Sequence, residues 1–234
     1  MSPHIQHFSD ISDLHEHATN LIITQLKSAL DKNGVASLMV SGGSTPGPVY
    51  SQISHFDLPW KDITIGLVDE RWVDEDDTGS NARLVRNTLL QNKASFANFI
   101  PMKTSASTPQ DGQLDVEANH KNIPSPFSVV VLGMGSDGHT ASWFPKAEGL
   151  DAALSLDNTN MVQAITAQQT GVTGAYLNRM TLTRHALDTC DFALLLVTGA
   201  EKKKVFEAAL AGDDYPIRSA IDTLGERLHV FIHI

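Results

Sequence analysis

Cysteine is nearly absent from this chain of 234 residues, in which Cys190 stands alone. A single cysteine excludes a disulfide within the chain and is typical of proteins from a reducing compartment. Because Cys190 closely precedes a run of apolar residues, we expect its thiol to be a buried packing group and not a reactive one.

Long apolar runs are also missing. No stretch of the sequence approaches the roughly 18 apolar residues that span a membrane. The first residues carry neither the basic segment nor the apolar segment of a secretion signal. These two absences predict a cytoplasmic protein that does not bind membranes.

Positive charge is scarce. Lysine and arginine number 17 against 27 aspartates and glutamates, and the formal net charge is −10. The longest basic run is Lys202-Lys203-Lys204, whereas binding of nucleic acid normally requires a larger basic face. We therefore expect no nucleic-acid partner. An anionic small molecule can still bind in a local pocket of backbone amides and a few cationic side chains.

What the sequence does contain is an alternation of helical patterns and short apolar runs. Residues 13–32 repeat apolar side chains at three- and four-residue spacing, and Asn33-Gly34 supplies a stop signal. Continuous apolar strands between helices predict a doubly wound α/β fold, with a mostly parallel sheet flanked by helices. We expect a single domain over residues 1–234, because neither loop-like stretch is long enough to mark a boundary. The predicted strands cover residues 35–40, 63–68, 128–132, 161–165, 192–197 and 228–234, and the other predicted helices cover residues 48–54, 113–122 and 201–210, with one more after Ser80.

Three polar loops begin where predicted strands end. They are Ser41-Gly42-Gly43-Ser44-Thr45-Pro46-Gly47, Asp69-Glu70-Arg71 and Asp137-Gly138-His139. The carboxyl ends of parallel strands meet at one edge of a sheet, where α/β proteins bind their ligands. The three loops together therefore predict one site at that edge.

The first loop is suited to an anion. Its glycines allow a tight turn, and its hydroxyls and amides can surround a phosphate. It lacks the Gly-Lys-Ser/Thr of a nucleotide-binding P-loop. The alternative interpretation is a plain turn of small residues.

The second loop offers Arg71, whose planar guanidinium can bind a phosphate. Asp69 can orient a histidine, bind sugar hydroxyls or act as a base. A solvated loop is the alternative interpretation of these charges, and it is the interpretation we favour for the acidic run at residues 74–77.

The third loop follows three closely spaced glycines and presents His139, the side chain best suited to proton transfer near neutral pH. A structural or exposed role is the alternative for one histidine among 10. No serine lies in a Gly-x-Ser-x-Gly sequence, which argues against acyl-enzyme chemistry. Further along the chain, Arg179 and Lys202 are candidates for additional cations at the same edge, although each taken alone reads as a surface residue.

The run Gly133-Met134-Gly135-Ser136-Asp137-Gly138-His139-Thr140-Ala141-Ser142-Trp143-Phe144-Pro145 closely resembles the signature of the 6-phosphogluconolactonase family. Other blocks of that family match in the same order, so that the resemblance spans residues 41–202. Ser136 and Trp143 stand where the family usually has proline and leucine, and the prolines often found before Arg179 are missing. The matching blocks are Ser41 to Pro46, Asp69-Glu70-Arg71 with Ser80-Asn81, Arg179-x-Thr181 and Gly199-x-Glu201-Lys202.

This resemblance implies the fold of the sugar-phosphate isomerases and deaminases. It also implies hydrolysis of 6-phospho-D-glucono-1,5-lactone to 6-phosphogluconate in the pentose phosphate pathway, without a metal or an organic cofactor. Carried over residue by residue, His139 is the general base that activates water, and Asp69 positions the lactone or the histidine. The resemblance assigns the phosphate or the oxyanion to Gly43, Ser44, Thr45, Arg71, Arg179 and Lys202. The oligomeric state is left open.

Two other functions compete with this one. Glucosamine-6-phosphate deaminase shares the Gly-x-Asp-Gly-His block, but that family has a glutamate five residues after the histidine, where this chain has Phe144. A sugar-phosphate sensor without turnover is the second alternative. Such sensors usually carry an added DNA-binding or partner domain, for which this chain has no segment of sufficient length or basic charge, and a sensor would tolerate the loss of His139.

Overall fold

Residues 2–234, which the computed structural model of the chain describes, form ten strands and eight α-helices in two sheets with flanking helices. The strands are β1 (His4–Phe8), β2 (Ala36–Val40), β3 (Ile63–Leu67), β4 (Asp69–Arg71), β5 (Asn98–Ile100), β6 (Val129–Gly133), β7 (Val162–Thr166), β8 (Asn178–Leu182), β9 (Ala193–Thr198) and β10 (Leu228–His233). The helices are α1 (Ile11–Asn33), α2 (Gly47–Ile53), α3 (Asn81–Thr88), α4 (Pro109–His120), α5 (Leu150–Leu154), α6 (Arg184–Asp188), α7 (Ala200–Ala211) and α8 (Pro216–Leu224).

The larger sheet is parallel throughout and has the strand order β1-β10-β9-β6-β2-β3-β5. Strands β2 and β3 are buried along their whole length, as expected where helices cover both faces. From β2 the chain runs outward through β3 to β5, and it then returns to β6 on the other side of β2. β2 and β6 are therefore neighbours at a topological switch point, where a crevice opens outside their carboxyl ends. The predicted α/β fold is confirmed.

The smaller sheet is antiparallel and has the order β4-β8-β7. β4 starts one residue after β3 ends, and it pairs Asp69 with Thr181 and Arg71 with Arg179. Because side chains alternate between the two faces of a sheet, Asp69, Arg71 and Arg179 share one face and Glu70 lies on the other. The sequence predicted β7, but it did not indicate that β7 lies outside the parallel sheet.

The elements that sequence analysis missed are short or lack an apolar pattern. β1 and β5 are edge strands, and most of their side chains are exposed or partly exposed. By contrast, α1 was predicted, over residues 13–32, because its apolar side chains repeat at helical spacing and Asn33-Gly34 marks its end. The Asp10 carboxylate accepts a hydrogen bond from the Ser12 amide, and Gly34 adopts the left-handed conformation at φ 74°. The other missed elements are β4, β8, α5, α6 and α8.

One cluster of buried apolar side chains contacts both sheets. Cys190 belongs to it, and burial raises the pKa of its thiol to about 12. This confirms the prediction that Cys190 is a packing group, because a reactive cysteine requires the thiolate. None of the helices within residues 2–234 has the length and apolar character needed to cross a membrane.

His120, at the end of α4, is a fully buried histidine. Its Nδ1 lies 2.9 Å from the Val116 carbonyl oxygen, and its Nε2 has no hydrogen-bond partner in the described part of the chain. Burial lowers the pKa of His120 to about 4, although the bond to Val116 and the charge of Glu117 act in the opposite direction. The folded protein therefore holds this ring neutral at pH values where an unfolded chain protonates it.

We expect the free energy of unfolding to decrease as the pH is lowered, because of His120. The folded pKa lies below the ordinary value of 6.5, so the stabilisation is complete above about pH 6.5 and is lost as the pH falls towards 4. The loss between about pH 7.5 and about pH 5.5 should be roughly 1 kcal/mol. Urea unfolding of His120→Gln should show a smaller loss over this interval, whereas the exposed control His55→Gln should match the wild type. An unchanged pH dependence in His120→Gln would contradict this account.

Candidate active site

A pocket of about 420 Å³ opens at the carboxyl ends of β2, β6 and β9. Its size is in the range of pockets that bind small molecules. The loops after β2 and β6 contribute to it, together with Leu196 on β9, Lys202 on α7 and the common face of β4 and β8. All of the predicted site residues line this pocket, namely Gly43, Ser44, Thr45, Asp69, Arg71, His139, Arg179 and Lys202. The structure brings all eight of them together.

The loop after β2 is held in place from two sides. The Tyr50 hydroxyl on α2 donates a hydrogen bond to the Ser41 carbonyl oxygen at 2.8 Å, and the Thr45 hydroxyl lies 3.1 Å from that of Thr198 on β9. Gly43 has φ 103°, a conformation that favours glycine. Gly43 and Ser44 remain exposed at the tip of the loop, so their polar groups are open to a ligand.

His139 is oriented by Asp137. Its Nδ1 lies 2.5 Å from Asp137 Oδ1. Since an ionised carboxylate only accepts hydrogen bonds, Nδ1 carries the proton of the neutral ring, and Nε2 is the free ring nitrogen. Burial alone would raise the pKa of Asp137, but the hydrogen bonds and the charge of His139 outweigh it and hold that pKa below its ordinary value. His139 thus donates its Nδ1 hydrogen bond to Asp137 and not to Asp69.

Gly135 provides the room for this pair. A Cβ atom at position 135 would lie 2.2 Å from both Nδ1 and Cε1 of His139, and 2.6 Å from Asp137 Oδ1. No side chain fits there without displacing the imidazole ring. The glycine in the signature is therefore required by the packing of the histidine as well as by the turn.

Phe144 contacts both His139 and Arg179, a role that sequence analysis missed. Its ring is 2% exposed, and its centroid lies 4.2 Å from that of His139. The guanidinium carbon of Arg179 lies 5.1 Å from the same ring, a distance at which cation–π attraction operates. In the sequence, Phe144 was notable only because it stands where the deaminases have a glutamate.

Arg179 is a buried cation. It is 3% exposed, so its reading as a surface residue is wrong. Its Nε donates to the Tyr176 carbonyl oxygen at 2.7 Å, and one terminal nitrogen lies 3.8 Å from Asp69 Oδ2. Burial lowers the pKa of Arg179 to about 10, an effect that Asp69 opposes and the nearby charge of Arg71 reinforces. Arg179 therefore stays charged at neutral pH, a form that the charges of both Asp69 and Glu70 favour.

The solvated-loop interpretation of residues 69–71 is wrong, because Asp69 is 6% exposed and Glu70 is fully buried. Glu70 accepts hydrogen bonds from the amides of Arg71, Asn81 and Ala82, each at 2.8 Å. Burial raises the pKa of Glu70, and these hydrogen bonds counteract it. Glu70 thus anchors β4 to the start of α3, where Ser80 is the helix cap as predicted. Residues 74–76 are exposed, in line with the predicted acidic turn.

The two departures from the family signature lie in different environments. Trp143 is fully buried, and its Nε1 donates to the Leu182 carbonyl oxygen on β8 at 2.9 Å. It supports the smaller sheet and does not line the pocket. Ser136 does line the pocket, where it is partly exposed.

The pocket is locally cationic in a protein of net charge −10. Arg71, Arg179 and Lys202 line it, with Asp69 as the one acidic lining residue among those described. Residues 2–234 contain no cluster of three or more histidine, cysteine, aspartate or glutamate side chains arranged to hold a metal ion. Fold and pocket together define the class: an α/β enzyme that places a histidine–aspartate pair and a cationic pocket at the switch point of a parallel sheet, for a small anionic substrate.

Comparison with known proteins identifies the family. Residues 9–229 match the family described as glucosamine-6-phosphate isomerases/6-phosphogluconolactonase. The chain is 38% identical to a 6-phosphogluconolactonase of Xylella fastidiosa, over 97% of this chain and 94% of the relative. It is 36% identical to that of Rhizobium meliloti, over 99% of both chains. The crystal structure of a 6-phosphogluconolactonase from Shewanella baltica matches with a TM-score of 0.92 and 37% identity, over 99% of this chain and 98% of that one. The chain belongs to this family, and within it to the 6-phosphogluconolactonases, which are carboxylic ester hydrolases.

Proposed function

We propose that this chain, acting as one lactonase domain, hydrolyses 6-phospho-D-glucono-1,5-lactone to 6-phosphogluconate with His139 as the general base. The observation that carries the mechanism is the His139–Asp137 pair in a pocket lined by cations. Membership of the 6-phosphogluconolactonases supports the substrate and the place in the pentose phosphate pathway.

The reaction needs one proton to move twice. Nε2 of His139 takes a proton from water while the water oxygen attacks the lactone carbonyl carbon. Asp137 stabilises the imidazolium that forms, and the tetrahedral intermediate then expels the ring oxygen, which receives the proton from Nε2. A positioned general base contributes roughly 10²–10⁴-fold in rate, which is substantial for an activated ester.

The phosphate group provides the positioning. Arg71, Arg179 and Lys202 surround the pocket with positive charge. A phosphate dianion satisfies these groups together with the polar groups of Gly43, Ser44 and Thr45. Binding the phosphate away from the reacting carbon holds the lactone against His139.

Of the two roles expected for Asp69, positioning the lactone or positioning the histidine, the first is the one we assign. With Asp137 bonded to His139, Asp69 is left to position the lactone through its hydroxyl groups. Its Oδ2 accepts a hydrogen bond from the Ser142 hydroxyl at 2.6 Å, and the arginine beside it neutralises its charge. The carboxylate is therefore held in a fixed orientation at the pocket wall.

The position of Phe144 argues against deamination. The fifth residue after His139 is this buried phenyl ring, packed on the imidazole, so the carboxylic acid of the deaminases has no counterpart there. An acid elsewhere in the pocket would have to replace it, and Asp69 is already engaged with Ser142 and Arg179.

Hydrolysis of freshly generated lactones tests the proposal. Each rate is corrected for spontaneous hydrolysis, and the phosphorylated lactone is compared with unphosphorylated gluconolactone. We expect turnover of the phosphorylated lactone well above background, with kcat/KM at least about 100-fold higher than for the unphosphorylated one because charged contacts are lost. A wild-type rate equal to the spontaneous rate rejects the function. Equal kcat/KM for both lactones rejects the phosphate site alone.

A further inference from the structure

Asn81 is a pocket residue to which the mechanism above gives no role. It is the first residue of α3, is 2% exposed and lines the pocket. Its backbone amide donates to Glu70 Oε1 at 2.8 Å, so the main chain is fixed by the buried carboxylate beneath it. The side chain is therefore presented to the pocket from a rigid position.

The orientation of the Asn81 amide follows from its partners. Nδ2 lies 2.8 Å from the Asp69 carbonyl oxygen and 3.3 Å from Asp69 Oδ1. Both partners only accept hydrogen bonds, so the nitrogen and not the oxygen must face Asp69. The side-chain oxygen Oδ1 consequently faces the other way.

Oδ1 lies over the backbone of Gly42. A Cβ atom at position 42 would be 1.9 Å from it, so any residue with a side chain at that position would displace the amide. Gly42 offers this oxygen no more than a weak C–H contact. No donor within residues 2–234 forms a hydrogen bond to Oδ1, and this oxygen is not one of the fully enclosed unpaired atoms, which are Ser41 Oγ, Arg71 Nε and His120 Nε2. Asn81 Oδ1 is thus an open acceptor between Asp69 and the loop after β2.

The chemistry of an open neutral acceptor selects its ligand. Phosphate and carbonyl oxygens accept hydrogen bonds and cannot pair with it, whereas a hydroxyl group donates one. The lactone of the proposed reaction carries hydroxyl groups on C2, C3 and C4 of its ring. A site that hydrogen-bonds a hydroxyl also disfavours an analogue without it, because its own polar group is then left unpaired.

We infer that Asn81 is a specificity-determining residue whose Oδ1 accepts a hydrogen bond from one ring hydroxyl of the sugar lactone. This inference rests on the proposed function and adds a contact that selects for hydroxylated substrates.

The test compares wild type and Asn81→Ala with four substrates, 6-phosphogluconolactone and its 2-, 3- and 4-deoxy analogues, each corrected for spontaneous hydrolysis. Because Asp69 also contacts a hydroxyl group in the proposed function, the comparison is repeated in an Asp69→Ala background, where Asn81 keeps its bond to the carbonyl oxygen of residue 69 but cannot act through the carboxylate. Loss of the Asn81 hydroxyl contact lowers kcat/KM by a factor that disappears with one analogue only. We expect the effect of Asn81→Ala to be about tenfold smaller with that analogue than with the other three substrates.

Asn87→Ala is the matched control, because Asn87 lies on the same helix and is exposed. It should match wild type with all four substrates. The inference is overturned if Asn81→Ala causes an equal loss with all four substrates, or if an analogue-specific loss vanishes in the Asp69→Ala background, since Asn81 would then act only through Asp69. If circular dichroism shows that Asn81→Ala does not fold, Asn81→Ser is measured in its place with the same criterion. Failure of the proposed function is recognised separately, since wild type then shows no turnover of the native lactone above background.

Discussion

Replacing His139 by alanine should lower kcat/KM for 6-phosphogluconolactone by roughly 10²–10⁴-fold, the contribution expected of a positioned general base. The fall should be in kcat more than in KM, because the imidazole acts on the attacking water and the phosphate contacts remain. Initial rates must be corrected for spontaneous hydrolysis, which sets the lowest measurable activity.

The control for this experiment is His7→Ala, an exposed histidine on the edge strand β1. It should retain wild-type kinetics. Asp137→Asn is the informative companion, because asparagine keeps the size of the side chain but removes the charge that stabilises the imidazolium. We expect it to lower kcat while leaving KM near its wild-type value. Full activity in a folded His139→Ala protein would leave the lactonase function standing and reject the base.

Replacing Arg179 by methionine should raise KM for the phosphorylated lactone by about 30-fold or more, since truncating one member of a buried charge pair costs about 2–5 kcal/mol. Methionine fits the apolar side of the site, next to Phe144, and cannot bind an anion. Arg179 lies on β8, and its loss also removes the cation that lies 3.8 Å from Asp69 on β4. We therefore expect a lower melting temperature as well as weaker substrate binding.

Comparing two substrates separates the loss of a phosphate contact from the loss of structural support. Unphosphorylated gluconolactone cannot use a phosphate contact, so the ratio of kcat/KM for the two lactones should fall in Arg179→Met. A loss that is equal for both lactones would mean that Arg179 supports the fold or the oxyanion and not the phosphate. The control is Arg86→Met, which removes a half-exposed arginine from the surface of α3. It should leave both the ratio of kcat/KM for the two lactones and the melting temperature unchanged. Arg179→Lys should recover only part of the binding, because lysine lacks the planar fork of the guanidinium.

The parts of the site that could be predicted are those encoded by neighbouring residues. Strands β2, β6 and β9 are buried on both faces, so each appears as a continuous apolar run, and the polar residues that follow each run mark the edge of the sheet. The pairing of Asp137 with His139 is local too, since only Gly138 lies between them in the sequence. A carboxylate two residues before the histidine was the available signal for it.

Other parts depend on contacts between distant segments, which no local pattern encodes. Arg71 and Arg179 are paired by the register of β4 against β8, and β4 is three charged residues that give no strand signal. Glu70 looks like the most solvated residue of its loop, yet it is fully buried because the amides of α3 need its carboxylate. Phe144 carries no polar group, so only its position against the imidazole reveals its role.

By itself, the sequence determined the α/β class, the edge of the sheet that carries the site, the family, and the eight predicted residues that line the pocket. These follow from apolar periodicity and from short blocks of residues, both of which are written along the chain. Tertiary structure alone decided that Arg179 is buried beside Asp69 and that Asn81 presents an unpaired oxygen. Each of these depends on the distance and direction between side chains brought together by the antiparallel sheet and by the start of α3, and such geometry exists only once the chain has folded.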